Sequence, residues 1–122
     1  MSARSLPLAV LLILIGACSD TYGMGSTSSC TASATQICLR GTAFSPTQAT
    51  VAVGTTVTFK NADGVTHTTT SSSVPAGGPT WNTSLAAGAT STVQLTVAGT
   101  YDYYCTIHGT PTTGMHARIV VQ

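Results

Sequence analysis

Gly99-Thr-Tyr-Asp-Tyr-Tyr-Cys-Thr-Ile-His-Gly-Thr-Pro-Thr-Thr-Gly-Met115 is the stretch on which the reading of this chain turns. Side chains alternate on an extended backbone, so Tyr101, Tyr103 and Cys105 share one face and Asp102 and Tyr104 the other. The strand delivers Cys105 into a loop of small residues that also carries His108 and Met115. A thiolate, an imidazole and a thioether from one short segment suit copper better than any other common metal. His67 is the obvious fourth donor upstream. Two histidines, one cysteine and a weak axial methionine make up the ligand set of a blue-copper electron-transfer site. His116 alternates in direction with Met115, so one of the two points inward and the other outward, and His116 is the rival for the fourth position.

Outward from this segment the chain reads as short strands. Val51, Val53, Val57 and Phe59 are apolar, with a turn at Gly54-Thr55. Val93, Leu95 and Val97 alternate with Thr92, Gln94 and Thr96, a period of two. Arg118 to Val121 forms a closing strand. Asp63-Gly64, Pro75 to Pro79, Ala87-Gly88 and Ala98-Gly99 supply the turns. No stretch holds a helical period and no repeat is evident. This spacing predicts an all-β antiparallel sandwich or barrel.

Phe44-Ser-Pro46, followed by Val51-Ala-Val-Gly54-Thr-Thr-Val57-Thr-Phe59-Lys-Asn61, resembles the opening of a small cupredoxin of the plastocyanin and pseudoazurin kind. His67 sits where that family places its first histidine ligand, and Gly99 to His108 with Gly114-Met115 matches its closing strand and ligand loop. The resemblance covers roughly residues 37–122. One departure stands out: six residues, Gly109 to Gly114, separate His108 from Met115, where small plastocyanin-like proteins usually have four. The resemblance implies an antiparallel Greek-key β-sandwich holding one mononuclear type 1 copper through His67, Cys105, His108 and Met115. It implies a bond between Thr68 and Thr106, the residues after the first histidine and the cysteine, tying the two ligand segments together. It further implies that the edge of His108 reaches an apolar surface, and that Tyr104 offers a second exit for the electron; Tyr104 also reads as a plain surface aromatic.

The N-terminus reads as an export signal. Arg4 precedes an apolar run, Leu6 to Ile15, that is too short to span a bilayer. Leu14-Ile15-Gly16-Ala17-Cys18 resembles a bacterial lipobox, with isoleucine in place of the usual leucine. The alternative is a secretory peptide cut after Ala17. The chain has four cysteines. If Cys105 holds copper and Cys30 pairs with Cys38, as an oxidising compartment favours, Cys18 is left over, and lipidation accounts for it. Two free thiols at Cys30 and Cys38 are the other reading of that pair. The expected organisation is therefore a signal peptide at 1–17, a lipidated cysteine and flexible Ser/Thr/Gly tether at 18–33, and a copper domain at 34–122. That places the protein at the periplasmic or cell-surface face of a bacterial membrane.

The chain is 122 residues long, which allows one domain. Four Lys and Arg against three Asp and Glu leave a formal net charge of +1, so there is no basic patch for nucleic acid. Three histidines are too few for a self-contained copper enzyme, which needs further histidine ligands for a substrate-binding metal. The expectation is a non-enzymatic, monomeric electron carrier that docks briefly with a cytochrome, an oxidase or a reductase. A copper carrier or buffer of the cell envelope is the alternative. Such proteins use methionine- and histidine-rich exposed sites, and this chain has few of either.

Overall fold

The computed structural model describes residues 28–122. The expected signal segment, Cys18 and most of the expected tether lie outside the described residues. Among the described residues nine strands follow one another: β1 (Gln36–Arg40), β2 (Ala43–Ser45), β3 (Gln48–Val51), β4 (Thr55–Asn61), β5 (His67–Ser73), β6 (Asn82–Leu85), β7 (Thr90–Leu95), β8 (Gly99–Gly109) and β9 (Gly114–Val121). They form two sheets, ordered β2-β1-β4-β7 and β3-β9-β8-β5-β6. β-Branched residues and turn formers dominate the composition, and strands are where such side chains pack best.

The sandwich matches the all-β expectation, and its pairing is mixed rather than uniformly antiparallel. β1 runs parallel to β4, and β3 runs parallel to β9. The remaining pairings are antiparallel. The cause is the crossing of the chain between layers. It leaves β1 through the hairpin to β2, passes over Pro46 and Thr47 into the second sheet as β3, and returns to the first as β4. A strand that departs and comes back through another layer is free to re-enter in the same direction as its neighbour.

The period of two holds where it was read. Tyr101, Tyr103 and Cys105 are buried and Asp102 and Tyr104 partly exposed. Leu95 is buried and Val93 half-buried, whereas Val97 lies beyond the end of β7. Val53 differs from its apolar neighbours: it belongs to the turn ahead of β4 and is exposed. The core is filled from the first sheet by Ile37, Leu39, Phe44, Val57, Phe59 and Leu95, and from the second by Tyr101, Tyr103, Met115, Ile119 and their neighbours. Each large apolar side chain buried in this way contributes about 1.5–3 kcal/mol.

Tyr103 is the hub of this core. Its ring meets Phe44 at 4.8 Å and Phe59 at 5.2 Å, both edge-on, and Trp81 at 6.0 Å. Edge-to-face contacts of this kind add to plain burial because the ring edge is positive and the face negative. Burial also pushes the Tyr103 phenol far above the ordinary tyrosine range. Tyr101 points the same way, and its hydroxyl donates to the Val97 carbonyl at 2.7 Å, pinning the turn into β8. The stem of β8 is thus held on both sides before it reaches Cys105.

Cys30 and Cys38 form a disulfide, with Cα atoms 5.9 Å apart. It ties the segment preceding the sandwich to β1. No helix among the described residues is long and apolar enough to cross a membrane.

Candidate metal centre

His67 opens β5 and is fully buried. β5 lies between β6 and β8, so His67 faces the end of β8 where Cys105 emerges. The β8–β9 ladder is regular from Gly99 to Tyr104, then shifts register before resuming at Gly109 and Gly114. Residues 105–108 therefore bulge from the ladder. Such bulges re-aim side chains that a regular strand would send to alternate faces. Here the bulge lets Cys105 and His108, three residues apart, converge on one point.

The donors that converge are Nδ1 of His67, Nδ1 of His108 and Sγ of Cys105. The two nitrogens are 3.1 Å apart, and the sulfur lies 3.9 Å from the first and 3.6 Å from the second. A point equidistant from all three lies about 2.1 Å from each, the length of a bond to a first-row metal ion. The donor set passes the test for copper on its chemistry as well as its size, because two imidazoles and a thiolate satisfy both copper oxidation states. Among the described residues this is the one cluster of metal-binding side chains of its kind.

Cys105 is also the free cysteine among the described residues, and it is buried. Burial raises its pKa, but hydrogen bonds outweigh burial. The Thr68 N–H donates to the sulfur at 3.3 Å, and the Ile107 backbone adds its own, with the His67 and His108 rings beside it. The thiol is drawn down to about 6, so the sulfur stands as a thiolate at neutral pH.

Thr68 and Thr106 tie the two ligand segments together. Their hydroxyl oxygens are 2.9 Å apart, and the Thr106 N–H donates to Thr68 Oγ1 at 2.7 Å. This is the cross-link that the sequence resemblance implied, made twice over. Met115 and His116 separate as alternation requires. Met115 is completely buried in the core. His116 is exposed, with Nδ1 turned back to within 3.0 Å of the Gly114 carbonyl oxygen.

The long ligand loop closes as a hairpin on two glycines. Gly114 has φ of +68°, and a Cβ there would fall 2.7 Å from the His108 carbonyl oxygen. A Cβ on Gly109 would fall 2.5 Å from the Met115 nitrogen. Between them Thr110 and Thr113 pair, N–H to carbonyl at 2.9 Å and hydroxyl to hydroxyl at 2.7 Å. The extra loop residues are absorbed in this extension, while Met115 still starts on the inward face of β9.

Two participants were not legible in the sequence as site residues. Asp63 reads only as half of a turn, yet its Oδ2 lies 2.7 Å from His67 Nε2 and accepts the Gly41 N–H at 2.6 Å. Asn61 is buried at the end of β4. Its amide donates to the carbonyls of Val65, Leu85 and Ala86, and its Oδ1 accepts the Asp63 N–H. Asp63 lies four residues and Asn61 six residues ahead of His67, and across an irregular loop neither spacing carries a signal.

The family model described as copper binding proteins of the plastocyanin/azurin family matches residues 31–122. No curated protein matches the sequence. Among solved structures, a copper-containing nitrite reductase from Thermus scotoductus SA-01 is similar at 29% identity and a TM-score of 0.62, over 71% of this chain and 22% of that one. The present chain thus spans about a fifth of that enzyme's length. An oxidized mutant of amicyanin is similar at 25% identity and a TM-score of 0.61, over 71% of this chain and 80% of that one. A purple cupredoxin from Nitrosopumilus maritimus is similar at 28% identity and a TM-score of 0.56, over 71% of this chain and 98% of that one.

Proposed function

This chain belongs to the plastocyanin/azurin family of copper-binding proteins, and we propose that it passes single electrons between redox partners through one type 1 copper held by His67, Cys105, His108 and Met115. The observation that carries the proposal is the convergence of two Nδ1 atoms and one thiolate within 3.9 Å of one another on a rigid sandwich. Copper at that point supplies a one-electron couple between Cu(I) and Cu(II). The residues do the rest. The buried His67 and the Thr68–Thr106 cross-link hold the donors in one arrangement, so little has to move when the charge changes. Met115, buried on β9, would be the fourth residue to hold the metal in this reading, and the exposed His116 would not take part.

His108 is half-buried, so its ring leads from the enclosed cluster toward the surface. Beside it Ile107 is 55% exposed, and the loop from Cys105 to Met115 contains no Asp, Glu, Lys or Arg. An uncharged rim of threonines around one exposed isoleucine suits short-lived docking and gives little long-range steering. Buried, preassembled donors favour electron transfer over copper delivery, where ligands must exchange with a recipient. We also read the chain as non-enzymatic. Of its histidines two sit in the cluster and His116 faces outward, which leaves no imidazole set for a substrate-binding metal.

Addition of one equivalent of Cu(II) should give an intense visible colour that ascorbate bleaches and ferricyanide restores. Met115→Leu should keep the colour and shift the midpoint potential, whereas His116→Ala should leave both unchanged. A colourless complex would defeat the type 1 assignment, and a potential that moved only in the His116 variant would reassign the axial ligand.

The N-terminal expectations extend this reading. A domain at 34–122, lifted by a tether at 18–33 from a lipidated Cys18, would meet partners at the outer side of a bacterial membrane. Two acyl chains give stable attachment where one is marginal. Mass spectrometry of the mature protein should find a diacylglyceryl group on Cys18 as the first residue. An unmodified Cys18, or a terminus elsewhere, would remove the anchor and leave the copper assignment standing.

A further inference from the structure

We propose that Asp63 is a positioning residue for the metal centre: its carboxylate fixes the tautomer and ring angle of His67 and biases the site toward the oxidized state. The inference rests on the copper reading above and extends it to a residue outside the ligand set.

One oxygen, Oδ2 of Asp63, takes two hydrogen bonds. The Gly41 N–H, from the turn between β1 and β2, lies 2.6 Å away, and His67 Nε2 lies 2.7 Å away. A carboxylate accepts and does not donate, so the hydrogen of the neutral imidazole sits on Nε2. The Nδ1 lone pair is thereby left facing Cys105 and His108. The ring has no freedom to flip. Flipping would break a charge-assisted bond and leave a carboxylate that is only 16% exposed facing a ring already 0% exposed.

Asp63 is itself held at both its carboxylate and its backbone. The Gly41 N–H anchors it to the first sheet, and the Asp63 N–H donates to Asn61 Oδ1 at 2.9 Å. Asn61 in turn bonds the carbonyls of Val65, Leu85 and Ala86. Asp63 thus transmits the position of the β1–β2 turn and the end of β4 to the first residue of β5. Outer partners of a ligating imidazole commonly set its orientation, and their loss costs about 10–100-fold in metal affinity.

The charge has a separate consequence. A negative group one imidazole away from the metal stabilises the more positive oxidation state. Asp63→Asn is close to isosteric and retains an oxygen for Gly41 and His67, so it removes the charge with least disturbance to the fold. In the copper-loaded protein it should lower Cu(II) affinity about tenfold relative to Cu(I), which raises the midpoint potential by about 59 mV for one electron. Asp102→Asn serves as the control. Asp102 pairs with Arg118 on β9, away from the cluster, and its loss removes the same charge.

The experiment has two arms. The midpoint potentials of wild type, Asp63→Asn and Asp102→Asn are compared by redox titration. The ring-nitrogen chemical shifts of His67 are read by NMR in the copper-free wild-type protein. The expected results are an upward shift in Asp63→Asn alone and a His67 ring protonated at Nε2. An Asp63→Asn potential no different from that of Asp102→Asn, or a His67 ring protonated at Nδ1, overturns the proposal. The NMR arm needs no metal. A wild-type protein that gave no thiolate-to-copper band would therefore defeat the copper reading, while the tautomer would still decide the role of Asp63.

Discussion

Cys105→Ser abolishes the intense visible absorption of the copper-loaded protein and lowers copper affinity by more than the roughly 10–100-fold that loss of an outer-shell partner costs. The expectation follows from what the sulfur does at that position. It lies within 3.9 Å of both ligating nitrogens and is drawn to a pKa of about 6 by the Thr68 N–H and its other donors. The metal therefore meets a preformed thiolate at neutral pH. A serine hydroxyl is harder, is not ionised at that pH, and has no high-lying sulfur orbital from which charge can move to Cu(II) in visible light. Serine is nearly the size of cysteine, and the Thr68 N–H finds an acceptor in either, so the sandwich should stay folded. Equilibrium unfolding of the copper-free variant checks that. A visible band that survived in Cys105→Ser would overturn the assignment of the centre.

Asn61→Leu has the largest expected cost to stability, about 3 kcal/mol or more in the copper-free protein. Asn61 is fully buried, and its amide serves three carbonyls, those of Val65, Leu85 and Ala86. Leucine has similar bulk and no donors. It removes the Asn61 donor from the buried Leu85 carbonyl and the part-buried Val65 carbonyl, while the Ala86 carbonyl keeps the Ala89 N–H, and each orphaned group costs about 1–3 kcal/mol. The same change frees the Asp63 N–H and with it the loop that carries His67. Copper affinity should therefore fall along with the urea midpoint. The two losses have one cause, so a variant that kept its wild-type urea midpoint would show that the carbonyls find other partners. Full copper affinity in a destabilised variant would show that the β4–β5 loop is not what orients His67.

These two residues differ in how they were legible. Cys105 announced itself through local order: an aromatic strand, then Cys-Thr-Ile-His in four consecutive positions. Asn61 stands in the sequence only as the last residue of a strand that resembles a cupredoxin opening, with nothing to mark a role. Its partners lie up to twenty-five positions away in sequence, at the end of β6 and the start of the β6–β7 connection. Asp63 reads as a turn former, which it is, and its bond to His67 depends on the path of an irregular loop. Thr68 and Thr106 fall between these cases. Nothing in so threonine-rich a chain marks them, and the resemblance to a known ligand frame singled them out.

Alternation and turn residues along the chain were enough to establish an all-β protein, the inward set Tyr101, Tyr103 and Cys105, and the donor types at His67, Cys105 and His108. Those properties are local, since a strand's faces follow from its period and a donor's softness from its element. They were also enough to state that Met115 and His116 must part company, though not which of them is buried. The pairing of β1 with β4 and of β3 with β9 in parallel came only with the tertiary structure, because strand direction depends on how the chain crosses between layers. So did the bulge at residues 105–108, the glycine closure of the ligand loop, and the clasp of Asp63 on His67 and Gly41. Each of these joins atoms from separate segments, and a donor triangle a few ångströms across is set by where those segments meet rather than by the order of residues within any one of them.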